Sequence, residues 1–260
     1  MAKKLTPMMQ QYMDVKEQYK DAILFFRLGD FYEMFFEDAI TASRELEITL
    51  TGKNCGLDEK APMCGVPHHA AEGYINKLID KGYKVAIGEQ IEDPKFAKGL
   101  VKRDVVRVVT PGTNMNTQSL EADRHNYLLA IYQNIANYGI AYVDITTGDF
   151  RATQVSGYHK VLDELAKIQP SEIICNETIR ANEPLMSQVK SRFKAFVNVK
   201  EDWFFDENRC VEAIKDQLDM KAIEGLGFKE KSEAVIGSGA LVQYLVETQK
   251  SQLKHLTHIH

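Results

Sequence analysis

The chain has 260 residues, 44% hydrophobic and 27% charged, and 32 basic against 37 acidic side chains leave it at −5. That suits one large or two ordinary globular domains and excludes a polycation that holds nucleic acid by bulk electrostatics, though not one with a local basic surface. No apolar run approaches the ~18 residues of a membrane helix, Met1 to Lys4 lead into Leu5-Thr6-Pro7 and not into a signal core, and Cys55, Cys64, Cys175 and Cys210 are too sparse for a disulfide scaffold, so a cytoplasmic protein with reduced thiols is expected.

Thr6 can cap a helix with Pro7 at its first position, and Met9, Tyr12, Met13 and Tyr19 recur at helical spacing. Ala22 to Leu28 reads as a buried strand, Gly29-Asp30 as a turn, and Asp38 to Leu46 as a helix. From Ala70 to Lys81 a further helix gathers Ala71, Tyr74, Ile75, Leu78 and Ile79 on one face and stops at Gly82. Strands are expected at Tyr83 to Glu89 and Val105 to Val109, with an irregular polar loop between them.

Thr110 to Thr117 is rich in turn formers and has little to bury, which marks it as a boundary. Residues 1–115 carry 16 basic and 17 acidic side chains, and residues 116–260 carry 16 and 20. Beyond it, strands are expected at Tyr127 to Tyr132, Ile140 to Ile145 and Phe150 to Val155, the last two joined by Thr146 to Asp149. A helix from His159 to Ile168, a strand at Ile173 to Cys175, and helices at Val211 to Leu218 and Ser232 to Thr248 complete an α/β layer with helices on its faces. After Lys250 the chain runs to His260 with no element of its own, and residues 251–260 read as the start of a following, truncated domain.

Gly29 to Phe36 holds four aromatic residues in eight. It reads either as a turn followed by core aromatics or as a wedge that turns Phe31 outward with Glu33 beside it. An apolar ring can unstack a base step, and a carboxyl can hydrogen-bond a base edge. Lys53, Lys98, Lys102 and Arg103 lie in loops and are either solvated surface or phosphate contacts that set position without reading sequence. Cys64, His68 and His69 lack a fourth ligand at a suitable spacing, so no metal is expected, and Met63 to Pro67 reads as a rigid loop. Asp144 reads as a turn residue at a strand end. No Gly-x-x-x-x-Gly-Lys-Ser/Thr loop occurs.

Arg27-Leu28-Gly29-Asp30-Phe31-Tyr32-Glu33-Met34-Phe35 resembles the signature of the MutS family of bacterial DNA mismatch recognition proteins. So do Thr6 to Tyr12, Pro62 to Ala70 and Val106 to Thr113, in the right order, and, more loosely, Asp144 to Phe150 and the rest of the chain. The resemblance spans the chain but only the N-terminal part of the family's longer protein. It implies a mixed α/β mismatch-binding domain over 1–115, a linker at 116–125 and a ribonuclease-H-like α/β connector over 126–250. It also implies that Phe31 stacks on a mispaired or unpaired base while Glu33 hydrogen-bonds it. Lys53 and Arg103 would touch the DNA backbone, and Met63 would pack against the groove. A mismatched step is already poorly stacked, so it kinks at lower cost, and no base code is needed. Mismatched duplex DNA is the implied ligand. The connector would relay state and meet MutL, and the parent protein would be a homodimer. ATP and magnesium would belong to a C-terminal ATPase outside this chain, leaving it without cofactor or catalytic residues.

Two rival classes remain open. An aspartate in a first strand before a hairpin also resembles the start of a ribonuclease-H-like magnesium nuclease, although two-metal chemistry needs several convergent carboxylates and no partners for Asp144 are evident. A protein-interaction module with no DNA role is the other.

Overall fold

The computed structural model describes residues 4–93, 95–115, 125–228, 232–251 and 253–260. The chain divides into two compact units, Met1–Thr110 and Pro111–His260. The expected linker 116–125 lies, except for His125, outside the described residues.

In the first unit, helix α1 (Pro7–Gln18) begins where the Thr6 hydroxyl accepts from the Met9 amide at 3.4 Å. Strand β1 (Ala22–Leu28) and strand β2 (Phe31–Phe35) form an antiparallel hairpin. Its two-residue turn places Gly29 at φ +59°, a conformation open to a residue without Cβ. Helix α2 (Phe36–Leu46) starts directly after β2. Strand β3 (Thr51–Lys53), strand β4 (Ala61–Pro67), a 3-10 turn at His68–Ala70, helix α3 (Ala71–Asp80), strand β5 (Lys84–Gln90) and strand β6 (Arg103–Val109) follow. The sheet order is β3-β4-β2-β1-β5-β6, with only β1 and β5 parallel. Alternate residues of β1 serve two cores. Ile23 and Phe25 meet α2 and α3 on one face, and Leu24 and Phe26 meet Met9, Tyr12 and Val15 of α1 on the other.

The expectation of a loop over Met63 to Pro67 is overturned: this stretch is β4, paired with β2 from Phe31 opposite Pro67 to Phe35 opposite Met63. Its prolines, glycine and histidine neighbours look like loop, but the ladder is non-local and Cys64 and Val66 are carried into the core.

In the second unit, strands β7 (Tyr127–Asn134), β8 (Asn137–Asp144) and β9 (Asp149–Ser156) form an antiparallel meander. Helix α4 (Tyr158–Ile168) leads to strand β10 (Glu172–Cys175), which lies parallel to β7. Helices α5 (Glu177–Arg180) and α6 (Glu183–Arg192) precede strand β11 (Phe196–Val199), parallel to β10. Helices α7 (Glu207–Leu218) and α8 (Glu233–Gln249) close the unit. The order β11-β10-β7-β8-β9 places α4 to α6 against one face of the sheet and α7 and α8 against the other. This is the mixed α/β layer expected of a ribonuclease-H-like sheet, with one correction. Asp144 ends the second strand of the meander, not the first. The Asp206 carboxylate accepts from the Arg209 amide at 3.0 Å, which starts α7 four residues before the apolar periodicity at Val211 becomes legible.

Two further expectations change. The turn-rich stretch after Val109 is buried from Thr110 to Asn114. Gly112 N donates to Glu172 at 2.9 Å, and Asn126 Nδ2 donates to the carbonyls of Pro111 and Asn114 at 3.0 and 3.1 Å. Turn chemistry predicted exposure, but the backbone groups find partners inside the second unit. Residues 251–260 were expected to start another domain. Instead Leu253, Leu256 and Ile259 are buried in the core under α7 and α8. His260 exchanges backbone bonds with β9, accepting from Ala152 and donating to Phe150.

Candidate nucleic-acid interface

The hairpin sets which way each aromatic points. Alternation along β2 sends Tyr32 and Met34 into the core under α2 and α3, and sends Phe31, Glu33 and Phe35 to the opposite face. Phe35 is covered on that face by α1. Phe31, at the turn, is not: 47% of its surface is exposed, whereas Phe25, Phe26 and Phe35 are buried. Across the ladder from Glu33 stands Gly65. A Cβ there would press on the Tyr32 carbonyl oxygen at 3.3 Å and touch Glu33 Cγ at 3.5 Å and Phe31 Cδ1 at 3.8 Å.

Glu33 is held. Its Oε2 receives a hydrogen bond from Lys53 Nζ at 2.6 Å, with 16% of the Glu33 side chain and 34% of the Lys53 side chain exposed. Twenty residues of sequence separate the two, and β4, lying between β3 and β2, brings them together. Lys53 Nζ also sits 5.7 Å from the centre of the Phe35 ring. The base of the hairpin is braced on the other face. The Tyr32 hydroxyl donates to Glu89, and Arg27 Nη1 lies 3.6 Å from Glu89 while its guanidinium covers the Tyr32 ring. Burial, followed by the Glu89 carboxylate, pushes the Tyr32 phenol up from its ordinary range and keeps it a donor.

Met63 is half-buried opposite Phe35 and Thr51, and packs on the α1 side of the sheet. Arg103, expected in a loop, is the first residue of β6. Only 7% exposed, it donates from Nε to the Arg27 carbonyl at 2.6 Å, and from Nη1 to the Val101 carbonyl at 2.7 Å and Gln11 Oε1 at 3.1 Å. Its guanidinium also covers the Phe26 ring. The guanidinium so engaged ties β6 to β1 and to α1. Lys98 and Lys102 are exposed on the loop between β5 and β6.

The cysteine and histidines weighed for a metal diverge. Cys64 faces the α2 side of the sheet, where burial, then Asp38, pushes its thiol up to about 11, while His68 and His69 lie exposed beyond the end of β4. Among the described residues no group of three or more His, Cys, Asp or Glu side chains could hold a metal ion. Asp144 is occupied by its own turn. Oδ1 accepts from the Thr146 and Thr147 amides at 2.9 and 3.4 Å, and Oδ2 pairs with His125 Nδ1 at 3.0 Å. Among the described residues no helix is long and apolar enough to cross a membrane.

An exposed ring beside a carboxylate, on a braced sheet, can enter a loosened base step from one side. Sequence reasoning singled out Phe31, Glu33 and Lys53 but not the Lys53–Glu33 pair, nor Gly65 beneath it; cross-strand register, invisible locally, creates both.

Comparison with known proteins bears on the same residues. The family model described as MutS domain I matches residues 6–118, and the one described as MutS domain II matches residues 126–258. Relatives named DNA mismatch repair protein MutS include those of Lachnoclostridium phytofermentans, 58% identical over 98% of this chain, and Alkaliphilus metalliredigens, 52% identical over 98%. That of Ruminiclostridium cellulolyticum is 54% identical over 97%. The matched stretch is 27% of the first relative's length and 29% of the other two.

Proposed function

The chain belongs to the MutS family, and on that premise we propose that its first unit reads mispaired or unpaired bases in duplex DNA. Phe31 is the wedge, Glu33 the hydrogen-bonding partner of the displaced base, and Lys53 a cation for the adjacent backbone. The observation that carries this reading is Phe31 itself, a half-exposed ring that shares its face of the sheet with Glu33. A defective step has already lost part of its stacking, so the ring needs less work to enter it than the few kcal/mol a paired step demands. Selectivity then follows from DNA deformability and not from a base code.

The second unit serves as the connector between this reader and the ATPase of the longer relatives, and offers surface to MutL. ATP and magnesium act there and not on the residues described above, the full protein works as a homodimer, and the site of action is the cytoplasm. A nuclease reading is disfavoured because Asp144 Oδ1 is engaged by its own turn and Oδ2 by His125.

A fluorescence-anisotropy titration with mismatched and fully paired duplexes tests the wedge. The chain carries −5 overall, so binding should be weak, with Kd no tighter than the ~10⁻⁴–10⁻⁶ M of non-specific complexes, and should fade with salt. The small preference for the mismatched duplex should vanish in Phe31→Ala. A variant that keeps the full preference would overturn the assignment of Phe31.

A further inference from the structure

We propose that the loop of residues 91–102 is a second DNA contact, in which the Phe96 ring packs against the duplex beside the mismatch while Lys95, Lys98 and Lys102 hold its phosphates. The inference rests on the reading of Phe31 as a wedge and adds a surface to it.

Topology places the two together. Strands β1 and β5 are parallel, with Phe26 level with Gly88. The Gly29-Asp30 turn that follows β1 and the loop that follows β5 therefore leave the sheet at the same end. The loop returns at Arg103, opposite Gln90.

The loop's composition is unusual for a surface connection. Phe96 is 82% exposed, and Ile91 and Leu100 are also large apolar residues in solvent. Single exposed apolar residues need no explanation; three on one loop beside three lysines do. Both local carboxylates turn inward onto backbone. Asp93 Oδ1 accepts from the Lys95 amide at 2.9 Å, and Glu92 Oε1 accepts from the Lys102 amide at 2.6 Å. The Phe96 amide donates to the Asp93 carbonyl at 3.0 Å, and Ile91 N donates to the Lys102 carbonyl at 3.0 Å, which closes the loop at its base. The acidic groups thus shape the loop, while Lys95, Lys98 and Lys102 have no ion pair among the described residues. Exposed aromatic and unpaired cations together match the chemistry of a nucleic-acid strand, where phosphates take the cations and any base or sugar face takes the ring.

Such a contact is blind to the mismatch, and that separates it from the wedge. In anisotropy titrations of the 260-residue chain at low salt, Phe96→Ala should weaken mismatched and paired duplexes by the same factor, about fivefold to tenfold, leaving their ratio unchanged. Replacing Lys95, Lys98 and Lys102 together by Gln should flatten the slope of log affinity against log salt by roughly 2 to 3. Since Phe96 is solvent-exposed, its variant should unfold at the wild-type temperature, which shows that any loss is not misfolding. If Phe96→Ala and the triple variant bind both duplexes as wild type does while Phe31→Ala loses selectivity, this inference fails and the wedge stands. If only the loop variants weaken binding, the wedge reading fails and the loop remains a non-specific contact. A chain that binds neither duplex at low salt overturns both.

Discussion

Lys53 and Glu33 carry opposite charges into a half-buried contact beside the proposed wedge. Exposed ion pairs contribute little because water and salt screen them; this one is partly shielded and should reach the upper part of that range. A double-mutant cycle of Glu33→Gln and Lys53→Gln, read by urea unfolding, should give a coupling of about 0.5–1 kcal/mol. A coupling indistinguishable from zero would mean that the carboxylate is not held in solution. DNA binding should divide the pair's roles. A phosphate competes for the lysine, so Lys53→Gln should weaken every duplex alike, whereas Glu33→Gln should alter affinity only where a base is displaced.

Among the elements, the tail after α8 departs furthest from a reading based on periodicity. Residues 253–260 have no helix or strand, yet Leu256 is almost wholly buried beneath α7 and α8. Gln217 Nε2 on α7 donates to the carbonyls of Leu253 and Leu256 at 2.8 and 3.2 Å, which pins the segment. Leu256→Ala removes packed methyls from that core and should cost the second unit about 2–4 kcal/mol in denaturant unfolding. A loss below about 0.5 kcal/mol would show that the tail is not docked. At the other entrance to this unit, Glu172 accepts from Gly112 N, from the Tyr244 hydroxyl at 2.6 Å and from Asn198 Nδ2 at 3.4 Å. A single buried carboxylate thereby ties the stretch after Thr110 to β11 and α8.

For the molecule as a whole, the free thiols give stability a pH dependence. Burial, with Glu177 and Asp206 as smaller causes, pushes Cys175 and Cys210 up to about 12, and Cys64 rises to about 11. The folded state therefore holds protons that the unfolded chain releases from about pH 9. Folded pKa values above unfolded ones mean that this contribution is complete below pH 9 and is lost as pH rises towards 11–12. The Tyr12 phenol, raised chiefly by burial and then by Asp38, works in the same direction. The urea midpoint should fall between pH 7.5 and pH 10.5, and iodoacetamide at pH 8 should leave Cys64, Cys175 and Cys210 unmodified until the chain unfolds. Equal midpoints at the two pH values would contradict it.

Near-neighbour chemistry alone placed much of this architecture. The Thr6 cap with Pro7, the apolar face of α3 ended by Gly82, the continuous apolar run of β1 and the long α8 are each written in one short contiguous stretch, so periodicity and capping reveal them. The Gly29-to-Phe36 stretch offered Phe31 and Glu33 as a wedge, and the family resemblance favoured that reading and implied Lys53 beside it. What local signals could not supply was the pairing of distant segments. β4 is a strand because β2 lies beside it, and Lys53 meets Glu33 because β4 holds β3 at the right distance. Phe31 is exposed and Phe35 covered on the same face because α1 reaches only one of them. Arg103, read as a surface cation, turns inward because the Arg27 and Val101 carbonyls and Gln11 await it there. A strand's alternation says that two faces exist; register and packing decide which face meets solvent, and those depend on contacts far apart in the chain.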